Sequence, residues 1–224
     1  MIALLPEMGK ARAILLDIEG TITPADFVTL KLFGYARERI EGFLEKNSQN
    51  TEIMGYLKDI REKTGIQNPA TGILQLMDED SKFGPLKKLQ ELVWKEGYES
   101  GELKGEVYVD VPPAFKRWRN TGRSIFIYSS GSVISQRMLL ATTKYGDLTN
   151  QIDGYFDTGS GGKKFPESYE LIAGRIGLDG KNIAFFSDSL EEINAAKESG
   201  MSAFLVCRSG NCNGSSFITN FDGI

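Results

Sequence analysis

The stretch Ala13-Ile-Leu-Leu-Asp17-Ile-Glu-Gly-Thr-Ile-Thr-Pro24 decides the fold. Its apolar run stops abruptly at an acid, and Gly20, Thr23 and Pro24 then interrupt regular structure. A run this short and uniformly apolar predicts a strand buried on both faces that empties into a functional loop. Two later segments have the same form: Ser124-Ile-Phe-Ile-Tyr128 runs into Ser129-Ser130-Gly131-Ser132, and Ile183-Ala-Phe-Phe186 runs into Ser187-Asp188-Ser189. Helical spacing follows each, over about 133–144 and about 190–199, the second closing at Gly200 before another apolar run, Ala203-Phe-Leu-Val206.

Strands alternating with helices predict right-handed βαβ units and an α/β fold of three layers, a parallel sheet covered by helices on both faces. Ligands of such sheets bind beyond the carboxyl ends of the strands, so Asp17, Ser129 and Asp188 are expected on one rim. From about Asp26 to Glu106 the pattern changes. Ile53/Leu57/Ile60 and Leu86/Leu89/Val93 follow helical spacing and no run is strand-like, which predicts a helical insertion at 26–106 between core segments 1–25 and 107–224. Inserted just after the first strand, this module is expected to act as a lid. Pro112-Pro113 marks the return to the core and opens a helix carrying Phe115 and Trp118.

Composition narrows the chemistry. The 224 residues hold 26 Lys+Arg against 30 Asp+Glu, a formal net charge of -4, which gives no basic excess for nucleic acid or anionic lipid. No window approaches the roughly 18 uninterrupted apolar residues of a membrane span. The first residues break at Pro6 before any signal-peptide core, so the expected address is the cytoplasm, with the nucleus also open in a eukaryote. No charge or apolar run points to a protein partner, and a monomer is expected. Histidine is absent, which excludes imidazole-based triads, imidazole-ligated zinc and histidine proton shuttles. Cys207 and Cys212 are too few for a zinc cluster and are expected as reduced thiols, a disulfide between them being possible but not implied.

Catalysis must therefore run on carboxylates, hydroxyls and lysines. Asp17 and Glu19, two residues apart beyond a buried strand, suit a Mg2+-type cation that takes oxygen from a side chain and a backbone carbonyl. With phosphate charge neutralised, Asp17 can attack phosphorus in line, while Glu19 protonates the leaving oxygen and later activates water against the aspartyl-phosphate. Ser129 and Ser130 offer a hydroxyl and backbone N–H groups at a helix start, a common phosphate cradle. Lys163, in a turn-rich stretch, supplies a positive charge able to hold a transferring phosphoryl group. That stretch is not a P-loop, since Asp157 stands where the first Gly is needed and Lys164 where Ser or Thr is needed. Asp188 completes an oxygen-rich metal shell, with Glu192 one helical turn further on behind it.

In this order, Asp17-x-Glu19-Gly-Thr, Ser129-Ser130-Gly, Lys163-x-x-Pro-x-x-Tyr169 and Ser187-Asp188 resemble the haloacid dehalogenase-like hydrolase superfamily. Within it the chain is most similar to the enolase-phosphatase family of methionine salvage. LLDIEGTITP with Phe27-Val28, IYSSGSV and LKKLQELVWKEGYESGELKGEVYVDVPPA carry that likeness. The resemblance implies a Rossmann-like core with a helical cap and one Mg2+ per chain held by Asp17, Glu19 and Asp188. It implies substrate contacts from Ser129, Ser130 and Lys163, with Asp17 as nucleophile and Glu19 as acid/base. The implied reaction enolises 2,3-diketo-5-methylthiopentyl-1-phosphate and removes its phosphate to leave an acireductone. Nothing in the spacing singles out the base for enolisation, for which Glu19 and cap residues are candidates. A general phosphatase or phosphomutase would share Asp17, Ser129, Lys163 and Asp188. The family's Arg-Pro-Gly-Asn stretch appears here as Arg208-Ser-Gly-Asn211.

Overall fold

Strand β1 (Ala13–Leu16) is buried at every position because it lies at the centre of the sheet. It pairs in parallel with β2 (Ser124–Tyr128) on one side and with β4 (Ile183–Ser187) on the other. The edges are β3 (Gly154–Phe156) and β5 (Ser202–Leu205), giving the all-parallel order β3-β2-β1-β4-β5. This computed structural model describes residues 8–210, 212 and 217–224. The leader reading of the first residues, and Asn211, fall outside them.

The chain divides into two compact units, Met1–Ala25 with Lys104–Ile224, and Asp26–Leu103. The second holds a π-helical turn, Phe27–Leu32, running directly into α1 (Phe33–Lys46), then α2 (Thr51–Thr64), α3 (Pro69–Asp78) and α4 (Gly84–Ser100). Asn50 and Asn68 cap α2 and α3 by accepting backbone N–H groups of the first turn, and Pro69 preorganises the start of α3. Ile40, Ile53, Ile60, Leu76, Leu86, Leu89 and Val93 form this unit's own core, with Leu57 packed at its margin. The Trp94 indole donates to the Leu32 carbonyl at 2.7 Å, tying the last helix to the turn at the entry of the unit.

In the sheet unit, α5 (Val111–Asn120) precedes β2 and α6 (Val133–Ala141) follows it. Helix α7 (Pro166–Ile176) precedes β4, and α8 (Leu190–Glu198) connects β4 to β5. Alternation along β4 shows the layers. Phe185 packs against Tyr169 of α7 with ring centres 5.1 Å apart, while its neighbour Phe186 stacks on Trp118 of α5 at 6.1 Å. Each aromatic row closes one face of the sheet, and β1 contributes Ala13 and Leu15 to the α7/α8 side. No helix among the described residues is long and apolar enough to cross a membrane.

Three features depart from the sequence reading. Strand β3 was not foreseen, because three half-buried residues, Gly-Tyr-Phe, are too few to show an apolar pattern. Helix α7 begins inside the turn-rich stretch that carries Lys163, with Pro166 at its first turn. Cys207 and Cys212 are joined by a disulfide instead of standing as reduced thiols. The reason is local: the Cys207 N–H donates to Ile218 and its carbonyl accepts from Gly210, so the chain after β5 doubles back and brings the two Cα atoms to 6.1 Å.

Candidate active site

Strands β2, β1 and β4 are in register at their carboxyl ends, Leu16 pairing with both Ile127 and Phe186. The next residues, Tyr128, Asp17 and Ser187, therefore stand side by side, with Ser129 and Asp188 one step beyond. The Asp17 N–H continues the ladder to the Phe186 carbonyl at 2.9 Å, which fixes the backbone from which its carboxylate projects. After Asp17 the loop turns tightly, the Ile18 carbonyl accepting from the N–H groups of Thr21, Ile22 and Thr23.

Asp17 is 5% exposed, and Lys163 reaches it across 146 residues of chain to place Nζ 2.5 Å from Oδ1. The same ammonium lies 2.7 Å from Glu192 Oε2. Ser187 Oγ completes the ring, 2.8 Å from Glu192 Oε2 and 3.3 Å from Asp17 Oδ2, while accepting the Ser189 N–H at 3.1 Å. Lys163 is itself held in place, its carbonyl accepting the Tyr169 hydroxyl at 2.6 Å. Burial opposes the Lys163 charge, but Asp17 and Glu192 outweigh it and hold the ammonium above the usual lysine range.

Ser129 is buried, and its Oγ accepts the Gly131 N–H at 3.2 Å; Ser130 is exposed. Ser132 caps α6 by accepting the Ser135 N–H. Gln136 locks this loop to the sheet, its Nε2 donating to the Gly131 and Phe156 carbonyls at 2.8 and 2.9 Å. Glu19 is exposed on the loop after β1 and bridges to Thr23 in a single ladder step. The structure thus gathers Asp17, Lys163, Ser187 and Glu192 into one network, with Ser129 and Asp188 on the same sheet edge. Sequence reasoning missed Ser187 and Gln136 as parts of the site; the one signal for Ser187 was a hydroxyl closing an otherwise apolar run.

A family model for haloacid dehalogenase-like hydrolases matches residues 11–200. The enolase-phosphatase E1 of Persephonella marina is 42% identical, the match covering 94% of this chain and 93% of that one. That of Parvibaculum lavamentivorans is 44% identical, covering 90% and 88%. The chain belongs to the enolase-phosphatase E1 family of haloacid dehalogenase-like hydrolases. A solved structure similar to this enolase-phosphatase is the UTR4 protein of Saccharomyces cerevisiae, 34% identical with a TM-score of 0.80, covering 96% of this chain and 100% of that one. The phosphate complex of CbbY from Rhodobacter sphaeroides, 14% identical with a TM-score of 0.62 over 95% and 96% of the two chains, shares the fold.

The electrostatics of this enolase-phosphatase bear on a metal. Among the described residues no three acidic, histidine or cysteine side chains form a ready-made metal cluster. Mg2+ needs less, since it keeps several waters and takes one or two carboxylates with a carbonyl. The donor chemistry fits: Asp17 and Asp188 carry hard carboxylate oxygens of the kind Mg2+ takes. Crowding by protein atoms, then Asp17 and Glu192, push the Asp188 carboxyl up to about 6, although part of that residue reaches solvent. Burial and Asp17 likewise raise Glu192 against the pull of Lys163. Gly20 makes the close approach possible. At φ +67° it occupies the left-handed region, and a β-carbon there would lie 1.9 Å from Asp188 Oδ2.

Proposed function

We propose that this enolase-phosphatase converts 2,3-diketo-5-methylthiopentyl-1-phosphate to the acireductone and phosphate through an aspartyl-phosphate on Asp17. The observation that carries the reading is the position of Asp17: buried at the end of the central strand, paired with Lys163, and on the same edge as Asp188.

Mg2+ is the metal that these phosphatases generally use, and Asp17, the Glu19 backbone carbonyl and Asp188 would hold it here. Bound there, it supplies positive charge to the phosphoryl oxygens. Lys163, 2.5 Å from Asp17 Oδ1, keeps the carboxylate aimed, which a nucleophile needs and which a solvated aspartate lacks. The Asp17 oxygen bonds to phosphorus as the ester bond breaks, and Glu19 gives its proton to the departing oxygen. Glu19, now a carboxylate, then takes a proton from water that attacks the aspartyl-phosphate, releasing phosphate and restoring both acids. Ser129 and the N–H groups of its loop receive the phosphoryl oxygens. Glu192 and Ser187 keep Lys163 and Asp17 in register from behind. To the helical unit Asp26–Leu103, inserted between β1 and β2, we assign a cap role in substrate choice.

The test is an assay of metal-stripped protein with and without Mg2+, on the diketone phosphate and on a panel of simple phosphate esters. Enol absorbance and phosphate release are followed separately. Mg2+-dependent signals in both channels, with the diketone ester strongly favoured, are expected. Equal turnover of simple esters would replace the assignment with a general phosphatase, and absence of phosphate release would remove the hydrolase mechanism.

A further inference from the structure

Arg208, just after β5, is a largely buried cation that the reaction above leaves unused. Its side chain is 10% exposed, and its guanidinium lies over the rings of both Tyr108 and Phe221, 4.1 and 4.7 Å from the ring centres. Such a clamp leaves a planar fork little freedom to turn. One edge of the fork grips a single acceptor: Nε and Nη2 both donate to the Thr21 carbonyl, at 2.8 and 2.5 Å. On the other edge Nη1 donates to Asp110 Oδ2 at 2.7 Å.

Asp110 is organised around this contact. It immediately precedes α5, where an aspartate ordinarily caps the helix, yet its side chain makes no cap hydrogen bond. The same Oδ2 instead receives Arg208 and, at 2.7 Å, the Phe221 N–H. Thr21 belongs to the loop that carries Asp17 and Glu19. That loop closes on the Ile18 carbonyl, and the Tyr108 N–H donates to the neighbouring Ile22 carbonyl at 3.0 Å. Two consecutive carbonyls of the loop are thus held from outside, the first by a charged group whose own position is fixed by two rings and a carboxylate.

We propose that Arg208 is a positioning residue for the reaction: by gripping Thr21 it fixes the loop from which Asp17 and Glu19 present their oxygens. This rests on the reading of those two acids as the reacting groups. A charge-assisted bond to a carbonyl two residues from Glu19 restricts the loop to a narrow range of positions. Lysine in the same place keeps the charge for Asp110 but cannot grip one carbonyl with two coplanar N–H groups.

Arg208→Lys is compared with the parent in steady-state turnover of the diketone phosphate, in melting temperature, and in Mg2+-dependent binding of fluoroberyllate, which mimics a phosphorylated aspartate. The expected result is a kcat lower by about 10- to 100-fold, with KM within about threefold and fluoroberyllate bound at least about tenfold more weakly. The melting temperature should stay within about 5 °C, so that a folded protein with a misplaced loop is what is measured. If Arg208→Lys does not fold, Asp110→Asn, which retains the arginine and both rings, should lower kcat in the same pattern by a smaller factor. Unchanged kcat in either folded variant, or a loss matched by loss of folded protein, overturns the proposal. Asp17→Asn is the control for the underlying reading: if it still binds fluoroberyllate or turns over, the site assignment fails and the positioning role goes with it.

Discussion

Gly20→Ala is the most discriminating single change in this protein. The added β-carbon would sit 1.9 Å from Asp188 Oδ2 and 2.6 Å from its Cγ, so the carboxylate must retreat by about 1 Å even to reach the tightest tolerated contact. A metal ligand is held to within about 0.2 Å, so this displacement should remove Asp188 from productive coordination. The alanine must also adopt the left-handed conformation that Gly20 holds, at a cost of about 1–2 kcal/mol. Together these predict three readouts. The melting temperature should fall by about 2–8 °C. The Mg2+ concentration for half-maximal activity should rise at least about tenfold. Turnover at saturating Mg2+ should drop by about 100-fold, the usual scale for a misplacement of this size. Calorimetric Mg2+ titration, thermal melts and phosphate release measure them independently. A Gly20→Ala protein that binds Mg2+ and turns over like its parent would refute the claim that Asp188 works where this structure puts it.

Three further outcomes are expected. Asp17→Asn should abolish phosphate release while leaving circular dichroism unchanged, because an amide cannot form the acyl phosphate; sustained turnover in a phosphate assay would remove Asp17 as nucleophile. Glu19→Asp should lower kcat by about tenfold or more, since a shortened acid no longer reaches the leaving oxygen, and an unchanged rate would strike Glu19 from the acid role. The third concerns pH. The Asp188 carboxyl sits at about 6 in the fold against an ordinary 3.8, so its contribution to stability is full at low pH and is lost as pH rises through about 6. Asp188→Asn should therefore raise the melting temperature of metal-free protein at pH 7.5, by roughly 2–4 °C once solvent screening is allowed for, and flatten its fall between pH 4 and 6. A lower melting temperature for the variant at pH 7.5 would contradict the proposed repulsion.

The rim was legible because each apolar strand run gives way to polar residues at its carboxyl end: Asp17 after β1, Ser129 after β2, and Ser187 with Asp188 at the end of β4. The helices between β1 and β2 were legible for the complementary reason, their buried Ile53, Ile60, Leu86, Leu89 and Val93 recurring at helical spacing. What escaped lay where local signals conflict with tertiary context. Pro166 follows a glycine-rich stretch and reads as a turn, yet it opens α7 and so positions Tyr169, which holds Lys163. β3 gains its place from pairing with β2, not from its own three residues. Arg208 and the Cys207–Cys212 bridge depend on contacts with distant or doubled-back chain that no window of sequence contains.

The centre of the sheet has a consequence for how the protein comes into being. On a ribosome β1 emerges early, but Leu16 must wait for Ile127, on the far side of the whole inserted unit, and then for Phe186. The inserted helices make mostly local contacts and can form as soon as they are synthesised. Trp94, anchored to Leu32, ties the last helix of the unit to its first turn, and a unit closed in this way would shorten the effective loop that β1 and β2 must close. The inserted unit would then also be a folding aid, and weakening it should slow refolding of the sheet before it alters any catalytic constant.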